Sequence, residues 1–176
     1  MPRTGVGPAP DGGPPGGADG LAAAQRALVA ALVAGAADPV GFDRHRLAVA
    51  RRALLHKRAG ELARHWPDLV HSLADRWPAV FVDWARGRPP VGGWRDGWDL
   101  ARRLADDGQL PATARTALAA AEVRWRYDGR SGPRPRWWPA LRRTPDGVVV
   151  QVAGRVRLLR RPTPAGQGRR RGRAAR

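Results

Sequence analysis

Apolar positions repeat at helical spacing through most of the first 129 residues. In the longest such stretch, from Phe42 to Pro67, they fall on one face of a helical wheel: Leu47, Ala50, Leu54, Leu55 and Leu62. Asp43 is positioned to cap this helix and Pro67 to end it, because the residue before a proline is pushed out of the helical region. Arg51 and Arg58 project from the same face. Since a buried guanidinium needs partners, the pattern predicts a helical domain with charges in its packed face.

Further helices are predicted on both sides of this central one, at about residues 20–34, 68–75, 78–86, 94–106 and 111–128. Asp19 can cap the first of them, and Gly35 and Gly108 fit C-terminal ends. Pro67 and Pro78 fit first-turn positions. The inner stripe of the last helix is Ala114, Leu118, Ala121, Glu122 and Trp125.

The spacing of apolar residues changes after Gly129, from the helical repeat to the alternation typical of strands. Residues 130–136 have the composition of a linker, and the runs Val148–Val152 and Arg155–Leu159 then alternate around Ala153-Gly154 as a β-hairpin does. An isolated hairpin is marginal in water. We therefore expect it to pack on the helices, through Trp137, Trp138 and Leu141, or to meet a third strand. The fold class is mainly α, a bundle of about five to six helices with a small C-terminal β-hairpin and disordered termini.

These patterns divide the chain into four parts: a disordered Pro/Gly-rich leader at 1–18, a helical domain at 19–129, a small β-hairpin module at 130–161 and a disordered Arg-rich tail at 162–176. The leader lacks the apolar run of a secretory signal. The chain contains no cysteine and no apolar window long enough for a transmembrane helix. A cytoplasmic protein is expected, with no membrane partner.

Charge is concentrated at one end of the chain. Residues 130–176 contain fourteen Arg and one acid, Asp146, which gives +13 of the formal net charge of +17. A charge of this size supports association with polyanions. It says nothing about fold.

The residues show no catalytic constellation. The two serines, Ser72 and Ser131, lie outside any nucleophile-elbow motif. The four histidines lack metal-ligand spacing and are expected at the surface or at helix caps: His45, His56, His65 and His71. We therefore expect no catalytic residues, no metal, no cofactor and no enzymatic activity.

Eight tryptophans allow two interpretations. Four of them fall on apolar faces and are expected in the core, where each buries about 150–250 Å²: Trp77, Trp84, Trp98 and Trp125. Trp137 and Trp138 lie in a basic segment, where core packing and a contact surface that stacks bases or binds a partner are equally open.

The arginines of the central helix also allow two interpretations. Both side chains can extend to the surface, as long side chains readily do. Alternatively, Arg51 pairs with an acid from another helix, since buried charges persist mainly when paired. Glu122 is the carboxylate on the inner stripe of the last helix. We predict a structural ion pair between Arg51 and Glu122.

The order of these segments resembles the HvfC/MbnC-type partner proteins, whose helical module bears the label of a DNA-binding domain. In that family an R-L-A-x-Y-R-x-N helix runs into an aromatic-Pro dipeptide, and a later helix carries L-E-W. Arg51, Trp66-Pro67 and Glu122 match these motifs, whereas Ala50 and Arg52-Ala53 depart from them. The resemblance covers about residues 20–128.

The resemblance implies a non-catalytic accessory subunit. Its partners would be a TIM-barrel, multinuclear non-haem iron enzyme and the short cysteine-bearing peptide that the enzyme oxidises. An exposed β-edge can take the leader of such a peptide as an added strand, and in this chain that edge would be Val148–Val152 or Arg155–Leu159. The candidate partner-binding residues are Trp137, Trp138, Val148, Val150, Arg155 and Arg157. Two alternatives remain open: a nucleic-acid-binding protein that uses the basic C-terminal region, and a helical scaffold with a solubilising tail.

Overall fold

The computed structural model describes residues 17–161. Its helices are α1 (Gly17–Val33), α2 (Arg44–His65), α3 (Pro67–Leu73), α4 (Trp77–Ala85), α5 (Gly93–Asp106) and α6 (Ala112–Arg124), with a 3₁₀ turn at Ala74–Arg76. Its strands are β1 (Trp125–Arg126), β2 (Arg134–Pro135), β3 (Ala140–Thr144), β4 (Gly147–Val152) and β5 (Arg155–Arg160). The predicted class, mainly helical with a small C-terminal sheet, is confirmed. The predicted leader and tail lie outside the described residues, except that Gly17 and Ala18 begin α1. Within residues 17–161 no helix is both long and apolar enough to cross a membrane.

Most helix ends follow the local signals, but the cap predicted at Asp19 is wrong, because α1 begins at Gly17 and Asp19 lies within its first turn. The Asp43 carboxylate accepts a hydrogen bond from the Arg46 N–H at 2.9 Å, which caps the start of α2. Pro67 is the first residue of α3, directly after Trp66. Gly35 and Gly108 have φ values of +71° and +70° just after α1 and α5, a conformation that glycine adopts without strain.

The described residues form two compact units. The first contains residues 17–60 and 78–91, and the second contains residues 61–77 and 92–161. The limits of these units cross the predicted domain boundary at residue 129, because α5 and α6 belong to the same unit as the C-terminal strands.

In the first unit, Arg51 of α2 is held by α1 and by the loop that follows it. Its Nε donates to the Ala31 carbonyl oxygen at 2.9 Å, and its guanidinium forms an ion pair with Asp38. Arg58 lies two turns further along α2 and is only 8% exposed. It donates to the Arg88 carbonyl oxygen at 2.6 Å and lies 5.3 Å from the Trp84 ring centroid. Arg51 and Arg58 therefore lie in the packed stripe, with carbonyl, carboxylate and aromatic partners, although Leu54 of the predicted face is exposed.

The second unit is built around a chain of aromatic side chains. Trp98 is fully buried, with ring centroids 6.2 Å from Trp66, 5.1 Å from Trp94 and 5.1 Å from Tyr127. Trp94 in turn lies 5.4 Å from Trp125. The Trp66 indole N–H donates to the Trp94 carbonyl oxygen at 2.8 Å, which fixes the ring. Edge-to-face packing of this kind stabilises beyond burial alone.

The last helix ends earlier than predicted. Trp125 and Arg126 form β1, which pairs antiparallel with Arg134 and Pro135 in the segment predicted to be a linker. The Arg136 N–H donates to the Arg124 carbonyl oxygen at 2.8 Å. Backbone pairing therefore competes successfully with continuation of the helix, and Trp125 reaches its aromatic partners from a strand.

The predicted hairpin is confirmed and gains a third strand. β3, β4 and β5 form an antiparallel sheet in that order, with the turn between β4 and β5 at Ala153-Gly154. Val149 is 1% exposed and packs with Ala119 and Val123 of α6, which fixes the sheet to that helix. The expected packing through Trp137, Trp138 and Leu141 is wrong, since these side chains are 85%, 84% and 59% exposed. Ala140, Val156 and Leu158 contribute instead.

The Gly97→Ala substitution tests the aromatic core. A Cβ at Gly97 would lie 2.6 Å from the Trp66 Nε1 and closer still to its Cδ1, and the Trp66 ring is held by its own hydrogen bond. We expect a loss of about 1–3 kcal/mol in the free energy of unfolding, as for other overpacked cores, measured by urea denaturation. Gly60→Ala is the matched control, because Gly60 is also inside a helix but has open space around it. Gly60→Ala should raise the free energy of unfolding by about 0.5–1 kcal/mol through helix propensity. If both variants changed the free energy of unfolding in the same direction, close packing of Gly97 against Trp66 would be contradicted.

Candidate functional site

The register of the sheet assigns its side chains to two faces, since paired residues of neighbouring strands point the same way. Val149 pairs with Leu158, and this face packs on α6. The opposite face carries these side chains: Leu141, Arg143, Val148, Val150, Val152, Arg155, Arg157 and Leu159. Four predicted partner-binding residues, Val148, Val150, Arg155 and Arg157, are thus brought together on one outer face.

One of the two candidate edges is wrong. Val148–Val152 lies in β4, which is the central strand and has both sides paired. The run Arg155–Leu159 lies in β5, whose outer side is paired with no strand among residues 17–161. The sequence reveals the two runs, but only the position of β3 decides which of them is an edge.

The alternation of hydrogen bonds along β5 shows which of its backbone N–H and C=O groups face the open edge. The Arg161 N–H donates to the Asp146 carbonyl oxygen at 3.1 Å, toward β4. Because donors of an antiparallel strand alternate between its two sides, residues of odd number bond to β4. The backbone N–H and C=O groups of Val156, Leu158 and Arg160 therefore point to the open side.

A groove runs between this open edge and α6. Its floor is mainly apolar or small, from Ala117 and Ala120 of α6 and Leu158 of β5. Four charged side chains also line it, those of Asp68, Asp146, Arg160 and Arg161. The Asp146 carboxylate accepts a hydrogen bond from the Thr116 hydroxyl at 3.0 Å. The groove can take small uncharged side chains from a strand laid along β5.

A second, shallow groove lies on the outer face at the same edge. Val150, Val152 and Leu159 line it together with Arg155 and Arg157. Val152 and Leu159 are 55% and 61% exposed, and both arginines are exposed. The outer side of the β5 edge is therefore apolar at its centre and positively charged along the strand.

Trp137 and Trp138 line a different groove from the four residues of the sheet face. The backbone of Trp138 is held by Gln151, which is 1% exposed in β4. With its amide oriented so that both atoms are bonded, Gln151 donates to the Trp138 carbonyl oxygen at 3.0 Å and accepts from the Gly154 N–H at 2.9 Å. No sequence signal identifies Gln151, because it interrupts the valine run as an outward-facing residue does.

The ion pair predicted between Arg51 and Glu122 is wrong, because each residue has other partners. Arg51 pairs with Asp38. Glu122 accepts from Arg102 Nε through Oε1 and from Arg142 Nε through Oε2, both at 3.2 Å. Since Arg142 belongs to β3 and Arg102 to α5, Glu122 connects the sheet to two helices. A helical wheel predicts the side of α6 on which Glu122 lies, but it does not predict which strand packs against that side.

A second polar cluster surrounds Tyr127. Its hydroxyl donates to the Asp99 carboxylate at 2.9 Å and accepts from Arg95 Nε at 3.4 Å. Burial raises the pKa of both Asp99 and Tyr127. Arg95 also donates to the Arg130 carbonyl oxygen at 2.8 Å. The cluster therefore connects α5 to the loop between β1 and β2. The polar atoms of Tyr127, Asp99 and Arg95 take part in these hydrogen bonds.

The histidines are all exposed, as predicted for His45, His56, His65 and His71. Among residues 17–161, no group of three or more His, Asp or Glu side chains is arranged to hold a metal ion.

Residues 22–106 match the family described as SCO6045-like, C-terminal domain. A UPF0276 protein of Streptomyces avermitilis is 42% identical over 142 residues. This alignment covers 80% of the chain but only 27% of the relative, so the chain corresponds to about a quarter of that protein. No solved structure matches the chain.

Glu122→Ala tests the connection between sheet and helices. Removal of the carboxylate breaks the ion pairs with Arg102 and Arg142 and leaves these two positive charges without the anion between them. We therefore expect the free energy of unfolding to fall by about 1 kcal/mol, as for two partly exposed pairs. Hydrogen exchange of the β3 amides should also accelerate. Asp107→Ala is the control, because it removes one exposed (i, i+4) pair with Arg103 and should cost under about 0.5 kcal/mol. Equal effects of the two variants on β3 exchange would refute this role of Glu122.

Proposed function

We propose that this protein is a non-catalytic partner subunit that binds an acidic peptide along β5 and presents it to a TIM-barrel iron enzyme. The observation that carries the proposal is the open edge of β5, whose outward backbone groups pair with no strand among residues 17–161. A groove to α6 lies on one side of this edge, and exposed arginines lie on the other. Strand addition supplies affinity through the main chain and specificity through alternate side chains.

The two sides of the edge favour different side chains in the bound strand. On the outer side, Arg155 and Arg157 favour carboxylates. On the inner side, Ala117, Ala120 and Leu158 favour small apolar groups, and the charges of Asp68 and Asp146 are balanced there by those of Arg160 and Arg161. The preferred ligand is therefore an extended segment in which acidic and small apolar residues alternate.

The partnership with an enzyme is supported by two further facts. The segments around Arg51, Trp66-Pro67 and Glu122 resemble those of the HvfC/MbnC-type partner proteins, as described above. In addition, the segment of the Streptomyces avermitilis relative that matches this chain is joined to a much longer remainder, since it makes up 27% of that protein. In that relative the matched segment and the remainder belong to one protein, which supports a role of this segment beside a second domain or protein.

The peptide site can be tested with a labelled ten-residue peptide of alternating glutamate and valine. We expect the full chain to bind it and to bind the corresponding lysine–valine peptide much more weakly, as measured by fluorescence anisotropy. Arg157→Glu should weaken binding roughly fivefold, because one favourable exposed pair worth about 1 kcal/mol is lost.

Arg143→Glu is the matched control. Arg143 is exposed on the same face but lies in β3, at the opposite edge of the sheet. The same net charge results, so a purely long-range effect would lower affinity equally. Equal losses for the two variants, or no preference for the acidic peptide, would rule out β5 as the binding edge.

The enzyme partnership predicts a separate result. We expect co-expression of the chain with a TIM-barrel multinuclear iron enzyme and its cysteine-bearing precursor to give oxidised precursor, detected by its mass. Omission of the chain should abolish that product, because the enzyme then lacks its bound peptide. Arg157→Glu should reduce the yield while the enzyme still co-purifies with the chain. Full modification of the precursor without this chain would refute the partnership.

A further inference from the structure

The groove at Trp137 and Trp138 differs from the peptide edge in its chemistry. The two side chains are 85% and 84% exposed, whereas Trp66, Trp84 and Trp98 are buried. Exposure of two adjacent large aromatic side chains is unusual for a surface without a ligand. Three arginines, Arg126, Arg134 and Arg136, line the same groove.

Two of these arginines are direct neighbours across the β1–β2 pair. Arg126 and Arg134 are direct partners in the ladder of β1 and β2, and both side chains are exposed. Directly opposed residues of antiparallel strands have Cα atoms about 4.5–5.5 Å apart, and like charges in such a pair destabilise the ladder. An anionic group between the two guanidiniums removes that repulsion. This juxtaposition therefore favours a bound anion.

The backbone under the groove is fixed from both ends. The Arg136 N–H bonds to the Arg124 carbonyl oxygen, and Arg136 Nε donates to the Glu122 carbonyl oxygen, each at 2.8 Å. Gln151 holds Trp138. The aromatic rings therefore project from a preorganised segment, so a ligand need not order that segment on binding.

One acid, Asp128, also lines the groove. Its carboxylate accepts hydrogen bonds from the Arg130 N–H at 2.9 Å, the Ser131 N–H at 2.8 Å and the Ser131 hydroxyl at 2.9 Å. These bonds lower the pKa of Asp128 to about 2. The charge is thus directed at its own loop, and Arg126 and Arg134 outnumber it.

We propose that this groove binds single-stranded nucleic acid, with phosphates between Arg126 and Arg134 and bases stacked on Trp137 and Trp138. Each nucleotide joins one planar ring to one anionic group, which matches exposed indoles beside paired guanidiniums. An acidic protein surface supplies carboxylates without a ring beside each charge.

The test is anisotropy titration of a labelled 15-nucleotide single strand with the full chain, at several salt concentrations. We expect Trp137→Ala and Trp138→Ala each to weaken binding about tenfold, with the salt slope unchanged, because they remove stacking. Trp137→Phe should restore most of that loss. Arg126→Gln and Arg134→Gln should each lower the salt slope by about 0.7, the value for one phosphate contact in a single strand. Since Trp137 and Trp138 are exposed, circular dichroism should show unchanged folding.

Arg157→Gln is the matched control for charge, because it removes one exposed arginine from the separate groove at β5. It should leave the affinity for the single strand nearly unchanged. Equal losses for Arg157→Gln and Arg134→Gln, or no effect of the tryptophan variants, would overturn the proposal in favour of unspecific polyanion binding. Tighter binding of the alternating glutamate–valine peptide at this groove, lost in Trp138→Ala, would overturn it in favour of a protein ligand. Peptide binding at β5 is tested separately, by comparison of Arg157→Glu with Arg143→Glu.

Discussion

Glu122 connects α6 to α5, to β3 and to the segment that carries the exposed tryptophans. Its carboxylate joins Arg102 of α5 to Arg142 of β3, and its carbonyl oxygen accepts from Arg136, just before the exposed tryptophans. A two- or three-stranded sheet of this size gains little from its own ladder. The ladder therefore depends on α6, through this charged junction and through the contact of Val149 with Ala119 and Val123.

Arginine has two distinct uses in this protein. Arg51, Arg58 and Arg136 donate to main-chain carbonyl oxygens, so their charges fix the ends of loops and helices. Planar guanidinium groups with several fixed donors suit this task better than an ammonium group does. In contrast, Arg126 and Arg134 are direct neighbours across the β1–β2 pair at the surface. The net charge of +17 thus overstates the charge that is available to a ligand. The hydrogen-bond partners of each arginine indicate better than the net charge whether it can bind an anion.

Sequence reasoning succeeded where the signal is local. The cap at Asp43, the break at Pro67 and the turn at Ala153-Gly154 depend on a few neighbouring residues, and all three agree with the structure. It was wrong where the deciding partner is distant in the chain. The helical pattern through Trp125 continues unbroken, yet pairing with Pro135 draws that residue into a strand. The loop residue Asp38 pairs with Arg51, and helical periodicity carries no information about such a loop.

The exposed arginines of β5 are compatible with two explanations of its open edge, protection against self-association and peptide binding. Charged residues on an edge strand commonly prevent association between copies of a protein, because like charges meet when two such edges approach. Arg155, Arg157 and Arg160 would act in that way against a second β5. The repulsion vanishes, however, for a strand that carries carboxylates at the matching positions. Protection against self-association and selection of an acidic peptide are therefore consequences of one arrangement. The groove to α6, lined by Ala117 and Ala120, is the feature that protection alone leaves unexplained.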